Sequence, residues 1–123
     1  MERDVPEVPV RLHLRKVHGS ITHLVMGEGL PVSFARPVAS VAFLGDSLAL
    51  VIFDDVDGAM NLAVLGPDGE ELARLGTTTG DGTLSEVLEV GDEIRVIEAT
   101  SHGDFQARLD LDSLTLVRVA QWR

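Results

Sequence analysis

A repeated pattern of turns constrains the fold of this chain more than any other feature. The dipeptide Gly45-Asp46 recurs as Gly91-Asp92, 46 positions later, and a run of apolar residues follows each of them. A later glycine-led run recurs at an offset of 45, and the offset changes only in the turns, as single-residue deletions would make it do. The pattern predicts two copies of one β-meander, at residues 40–75 and 85–120.

The rest of the chain also favours strands over helices. Apolar runs are short and bounded by Gly, Asp or Pro, and no window keeps apolar residues at helical spacing over three turns. The two copies contain eight predicted strands: 40–44, 47–53, 59–65, 70–75, 85–90, 93–99, 104–110 and 114–120. We therefore predict an all-β, antiparallel chain whose 123 residues form a single domain with its own core.

Each copy predicts four strands that are joined by short turns. The first reads SVAFLGDSLALVIFDDVDGAMNLAVLGPDGEELARLG and the second EVLEVGDEIRVIEATSHGDFQARLDLDSLTLVRVAQ, with Gly-Asp and Asp-Gly turns between the strands. Each resembles one four-stranded β-propeller blade of the WD-repeat kind. Two blades do not close a ring. The chain therefore either folds as a closed β-sandwich or barrel, or completes its sheets with neighbouring copies.

Residues 10–26 contain three of the four histidines and predict an N-terminal hairpin. A turn at Val17-His18-Gly19 would give glycine the left-handed position that such loops prefer. This register sets His13 opposite His23, with Cβ atoms about 4.5–5.5 Å apart. Two imidazoles at that distance can share a metal ion, although zinc sites normally use three or four ligands. His13 and His23 are therefore candidate metal ligands that need a third group from another segment or subunit.

One tetrapeptide, Gly45-Asp46-Ser47-Leu48, resembles the nucleophile block of GDSL esterases. In those enzymes the serine opens a helix and works with a Gly-x-Asn block and a late Asp-x-x-His block. Neither block is present, and the residues that follow, LALVIF, are typical of a strand. The second copy has Glu93 where the first has Ser47. We interpret Ser47 as a turn residue and predict no catalytic residue.

Other site signals are incomplete. Residues 54–58 resemble the start of a calcium loop, but Leu65 stands where the loop needs its final glutamate. Residues 77–82 lack the strand-to-helix context of a phosphate loop and are interpreted as a flexible connector. The chain has no cysteine, which excludes disulfides and thiolate metal sites. No cofactor is predicted.

Charge limits the partners. Twenty acids against ten bases give a net charge of −10, which repels nucleic acid and anionic membrane surfaces alike. No apolar stretch reaches the ~20 residues of a membrane-spanning helix. The N-terminus has no secretory signal pattern. We expect a soluble, cytoplasmic protein that binds neither nucleic acid nor membrane.

The expected function follows from the open sheet edges. Proteins normally cover exposed apolar edge strands, so we expect a homo-oligomer, and a trimer of two-blade chains would give a six-bladed ring. The sequence favours a non-catalytic interaction or scaffold module and does not identify its protein partner. The alternative is a small hydrolase or metal-binding enzyme whose site forms at a subunit junction around His13 and His23.

Overall fold

A computed structural model describes residues 14–25, 31–44, 48–53 and 60–122, and its side chains from residue 38 onward. Every regular element in these ranges is a strand, which confirms the all-β prediction. The nine strands are β1 (Leu14–Val25), β2 (Pro31–Leu44), β3 (Leu48–Phe53), β4 (Leu62–Leu65), β5 (Glu71–Leu75), β6 (Thr83–Val90), β7 (Glu93–Thr100), β8 (Gly103–Asp110) and β9 (Thr115–Gln121).

The strands form two antiparallel meanders, as the repeat predicts. The first sheet has the order β1-β2-β3-β4-β5 and the second has the order β6-β7-β8-β9. Apart from β2, each of the eight predicted strands begins and ends within three residues of its observed bounds. The repeated turn explains this agreement: Gly91 has φ of 61° and, with Asp92, joins Val90 to its ladder partner Glu93 in a two-residue hairpin.

The N-terminal hairpin differs from the prediction. It is formed by β1 with β2, and not by two strands within residues 10–26, because Leu14–Val25 is one strand. The ladder shifts by one residue between His18 and Ile21, which leaves an extra residue on β1. Gly19, which the sequence pattern assigns to a turn, lies at this irregularity. Glycine within a strand marks a β-bulge as readily as a turn, and pairing with β2 decides between them here.

The main core lies between the two sheets. Side chains of β2, β3 and β4 meet side chains of β6, β7 and β8 in one cluster whose members are at most 5% exposed. Its residues are Ala42, Leu44, Leu50, Ile52, Leu62, Val64, Leu84, Val87, Ile94, Val96 and Leu109. Burial of this apolar surface is the main force that holds one sheet against the other. We call this cluster the inter-sheet core.

The first sheet is buried on its far face as well. A second cluster, which includes Val41, Ala49, Val51 and Ala63, lies on the side away from the second sheet, and these four side chains are at most 1% exposed. Burial on both faces explains why LALVIF reads as a continuous apolar run without alternation. In contrast, exposed and half-buried residues alternate along β9, so one face of the second sheet is partly open.

A buried asparagine also joins the sheets. Asn61 is 4% exposed and directly precedes β4. Its Nδ2 donates to the carbonyls of Phe53 and Leu84, at 3.2 and 2.7 Å, and its Oδ1 accepts from the Leu84 amide at 2.9 Å. Three hydrogen bonds satisfy this polar side chain. They fix the end of β3 to the beginning of β6.

The edge strands share one irregularity. β1, β5, β6 and β9 are the outer strands of the described sheets, and in the ladder of each one shift leaves an extra residue on the edge strand. In the β1 ladder a second shift, between Ile21 and His23, leaves three extra residues on β2. The extra residue is Leu72 on β5, Ser85 on β6 and Val119 on β9. Bulges twist an edge away from flat pairing and are one way in which proteins prevent strand addition. These edges are therefore poor surfaces for pairing with another chain.

Candidate functional site

His13 lies outside the described residues, and His23 lies on β1, where its ladder partner is Ser33. The turn at residues 17–19 that would set His13 opposite His23 is absent, because these residues belong to β1. Within the described ranges, no three His, Asp or Glu residues are grouped closely enough to hold a metal ion. A metal role for His13 and His23 stays a prediction.

Ser47 and residues 54–58 also lie outside the described residues. The segment after Ser47 can be assigned, since Leu48–Phe53 is strand β3. An esterase of the GDSL kind would have a helix there. The strand prediction for this segment is confirmed, and the interpretation of Ser47 as a turn residue stays a prediction.

A buried carboxylate is the most unusual polar group of the second sheet. Glu98 follows Ile94 and Val96 at alternating positions of β7, so its side chain points to the same side as the inter-sheet core, and it is 0% exposed. Its Oε2 accepts from Arg118 Nε at 2.9 Å and from the Thr78 hydroxyl at 3.0 Å. Its Oε1 accepts from the Thr78 backbone amide. Three donors thus compensate for the burial of the charge.

Arg118 completes this cluster from β9. Its guanidinium lies over the Phe105 ring, 3.8 Å from the centroid, where a cation–π interaction adds to the ion pair with Glu98. The Arg118 side chain as a whole is 30% exposed, and its Nη2 is buried without a hydrogen-bond partner in the described part of the chain. Both oxygens of Glu98 are held by hydrogen bonds to Arg118 and Thr78. The arrangement holds a strand and a connector in place and offers no free base for proton transfer.

The connector between the sheets is therefore docked, which differs from the prediction that residues 77–82 form a flexible connector. Thr78 is held by Glu98, and Gly82 has φ of 80° with the Ala99 carbonyl only 1.9 Å from the position that a Cβ would take. No other residue fits this close approach to β7. The sequence contains one signal for the docking: Glu98 is an acid that continues the alternating apolar positions of its strand.

A second tie fixes the far end of the connector. Asp81 Oδ2 accepts from the Ser101 hydroxyl at 2.6 Å and from the Ser101 amide at 3.1 Å. These two hydrogen bonds lower the pKa of Asp81 below its ordinary 3.8, and the neighbouring His102 lowers it further. The Ser101 hydroxyl donates to a carboxylate and not to a histidine. The group of Asp81, Ser101 and His102 therefore lacks the hydrogen bond by which a base activates a serine nucleophile.

The outer face of the second sheet, which points away from the inter-sheet core, presents charges in two rows. Arg95 on β7 is the ladder partner of Arg108 on β8. Along their strands both alternate with residues whose side chains point into the inter-sheet core. The basic row extends across the sheet through Leu88, Arg95, Arg108 and Val117. A second row, the acidic row, lies two residues away from the basic row on each strand. It consists of Val90, Glu93, Asp110 and Thr115.

Contacts within the face confirm this arrangement. Arg95 donates to Glu93 Oε1 through Nε at 3.0 Å and to Gln106 Oε1 through Nη1 at 2.8 Å. The amides of Ser113 and Asp112 donate to Asp110 and lower its pKa, and the charge of Arg108 lowers it further. The Asp110 carboxylate of the acidic row is therefore anionic at neutral pH.

Apolar side chains are exposed at both margins of the outer face. Val90 on β6 is 39% exposed, and Val117 and Val119 on β9 are 46% and 38% exposed. A strip of charges between exposed valines is typical of an interaction surface, in which apolar contacts exclude water and charges set the orientation. Among the described residues, this face of the second sheet is the candidate functional site.

The described residues include no helix of the length and hydropathy that crossing a bilayer requires. No protein-family model, no curated protein and no solved structure matches this chain.

Proposed function

We propose that this protein is a non-catalytic interaction module that acts as a homo-oligomer. The observation that carries this proposal is the outer face of the second sheet, where two opposed arginines lie beside two carboxylates and exposed valines border both rows. In contrast, the far face of the first sheet is buried along β3 and β4. The second sheet therefore provides the surface at which a partner can bind.

The hydrogen bonds of two carboxylates, those of Glu98 and Asp81, support a binding role over a catalytic one. Glu98 uses both carboxylate oxygens, and Asp81 uses Oδ2, to hold the connector between the sheets. A catalytic base needs an oxygen or nitrogen that is free to take a proton from a bound substrate. These two carboxylates stabilise the fold instead.

We also propose that the two meanders are blade-like units that stack through one face. Their contact through the inter-sheet core supports this, as neighbouring blades stack in the same way. A ring of such chains needs head-to-tail contact between the outer face of one second sheet and the far face of the next first sheet. That far face is already buried within its own chain, which favours contact between two identical outer faces over a trimeric ring.

Light scattering coupled to size-exclusion chromatography tests this proposal. The chain has a mass of 13.2 kDa, and we expect an average mass above this value that rises with loading concentration. A mass of one chain at every concentration up to the millimolar range would refute the homo-oligomer.

Metal analysis of the same sample tests the alternative function. A stoichiometric amount of zinc or manganese, lost when His13 and His23 are both replaced by alanine, would support a metal-binding enzyme and contradict the non-catalytic module. We expect no stoichiometric metal.

A further inference from the structure

We infer that two copies of this chain bind each other through the outer faces of their second sheets, about a two-fold axis that sets each basic row against the acidic row of the other copy. The inference rests on the proposed homo-oligomer and specifies its contact. It follows from the order of the charged rows in the ladder.

The geometry of the contact is fixed by symmetry. A two-fold axis that lies in the interface, parallel to the rows and midway between them, brings each strand against the same strand of the second copy. Arg95 then faces the partner subunit's Glu93, and Arg108 faces the partner subunit's Asp110. The reciprocal contacts form at the same time, so one axis creates four pairs of opposite charges.

Within a single chain the basic row places two like charges side by side, and Glu93 and Asp110 of the acidic row offset part of their repulsion. Arg95 and Arg108 are direct cross-strand partners, and like charges in such positions repel each other. Arg95 is partly compensated by Glu93, whereas Arg108 has no hydrogen bond or ion pair in the described part of the chain. A second copy would supply a carboxylate to each arginine. This local complementarity opposes the general repulsion between chains of net charge −10.

The apolar residues of the rows fit the same axis. Leu88 would face the partner subunit's Val90, and Val117 would face the partner subunit's Thr115. Val90 and Val117 are among the exposed large apolar side chains of the described residues. Their burial at both margins would exclude water from the charged pairs between them, which strengthens those pairs.

The size of the contact predicts a weak and transient dimer. The axis lies between residues 93 and 95, at one end of the strands, so two copies overlap only over about three residues of each strand and the adjoining turns. Four strands in such a patch, about 19 Å wide and about 15 Å long, bury about 600 Å² in total. This is below the area of a stable specific interface, and we expect salt-sensitive association near the millimolar range.

Charge-reversal variants test the pairing. The variant Arg95→Glu sets acids against acids across the axis, and Glu93→Arg sets bases against bases. We expect each to raise the Kd for self-association about tenfold or more. An equimolar mixture of the two variants places Glu at position 95 against Arg at position 93 in one direction and wild-type residues in the other. The mixture should therefore form heterodimers with a Kd close to that of wild-type protein.

A matched control separates local pairing from general repulsion. Asp68→Arg changes the net charge by the same amount as Glu93→Arg, in an exposed turn of the first sheet. If net charge alone controlled association, both variants would strengthen it. The inference expects Glu93→Arg to weaken association while Asp68→Arg does not. Thermal melting of each variant shows whether its fold is intact, and the double variant Glu93→Arg/Arg95→Glu, which keeps both pairings, should dimerise as the wild type does.

The outcomes distinguish the inference from the proposed function. A wild-type protein that is monomeric at all concentrations overturns both. A wild-type oligomer that neither single variant weakens, or single variants that fail to associate when mixed, overturns this contact and leaves the homo-oligomer standing. Sedimentation velocity at 50 mM and 500 mM salt provides the Kd values, and we expect weaker self-association of the wild type at the higher salt concentration.

Discussion

The cluster around Glu98 should contribute a large share of the stability of the second sheet. In Glu98→Ala the guanidinium of Arg118 and both donors of Thr78 lose their acceptor. Removing one partner of a buried ion pair costs about 3–5 kcal/mol. Arg118 is 30% exposed and regains some hydration, so we expect a loss near the lower limit, about 3 kcal/mol. For a domain of this length, that loss lowers Tm by about 12 °C.

A double-mutant cycle separates the ion pair from the packing around it. The two single variants of the cycle are Glu98→Leu and Arg118→Met. Arg118→Met leaves the Glu98 carboxylate buried without its cation, and we expect a loss at least as large as that of Glu98→Leu. The double variant Glu98→Leu/Arg118→Met removes both charges and fills the space with apolar atoms, which is often nearly neutral for buried pairs. Only the Thr78 donors stay unpaired, at a cost of about 1–3 kcal/mol. The double variant should therefore be more stable than the sum of the single losses implies.

Urea denaturation measures these differences, with unchanged m-values as the check that the unfolding transition is comparable. Hydrogen exchange at the Thr78 amide provides a local measurement, because this amide should exchange faster once its acceptor is lost. A loss below about 1 kcal/mol for Glu98→Ala, or additive losses in the cycle, would refute the reasoning that the pair is electrostatically coupled.

Asn61→Ala leaves the Leu84 amide without its acceptor and should lower the free energy of unfolding by about 1–3 kcal/mol, measured with urea; a neutral effect would show that water replaces the asparagine. Because the folded-state pKa of Asp81 is below 3.8, its contribution to stability is complete well above that pH and is lost as pH falls through the lowered value; the difference in stability between wild type and Asp81→Asn should therefore be constant near neutral pH and shrink only in acid, and a difference that changes near neutral pH would contradict this. Zinc at micromolar concentration should raise Tm only slightly if His13 and His23 are the only ligands. A large rise in Tm, measured by thermal melting, would reveal a complete site.

The strands of the two meanders could be predicted because their turns are local. Gly91-Asp92 fixes the hairpin of β6 and β7 within two residues, and its recurrence at Gly45-Asp46 extends the same interpretation to the first copy. The two charged rows of the outer face could also have been predicted from the sequence. The pairing of Val90 with Glu93 sets the register that places Arg95 beside Leu88. Short-range chemistry therefore determines most of the second sheet.

The remaining features depend on contacts between distant segments. Gly19 permits either a turn or a bulge, and only the pairing of β1 with β2 selects the bulge. The docking of Thr78 on Glu98 joins residues 20 positions apart, and no local pattern in the connector indicates it. In the same way, the burial of both faces of the first sheet is a tertiary property, although the continuous apolar run LALVIF is consistent with it.

Because the two sheets are buried to different extents, we expect them to unfold in a definite order. The first sheet is packed on both sides, whereas the second has one partly exposed face and is joined to the first by the inter-sheet core, the connector and Asn61. Regions with less buried apolar area open at lower free energy. Partial unfolding should therefore begin at β9, whose outer side is the most open, and reach β3 and β4 last. A protease would cut first near the C-terminal strand and leave a resistant fragment built around the first sheet.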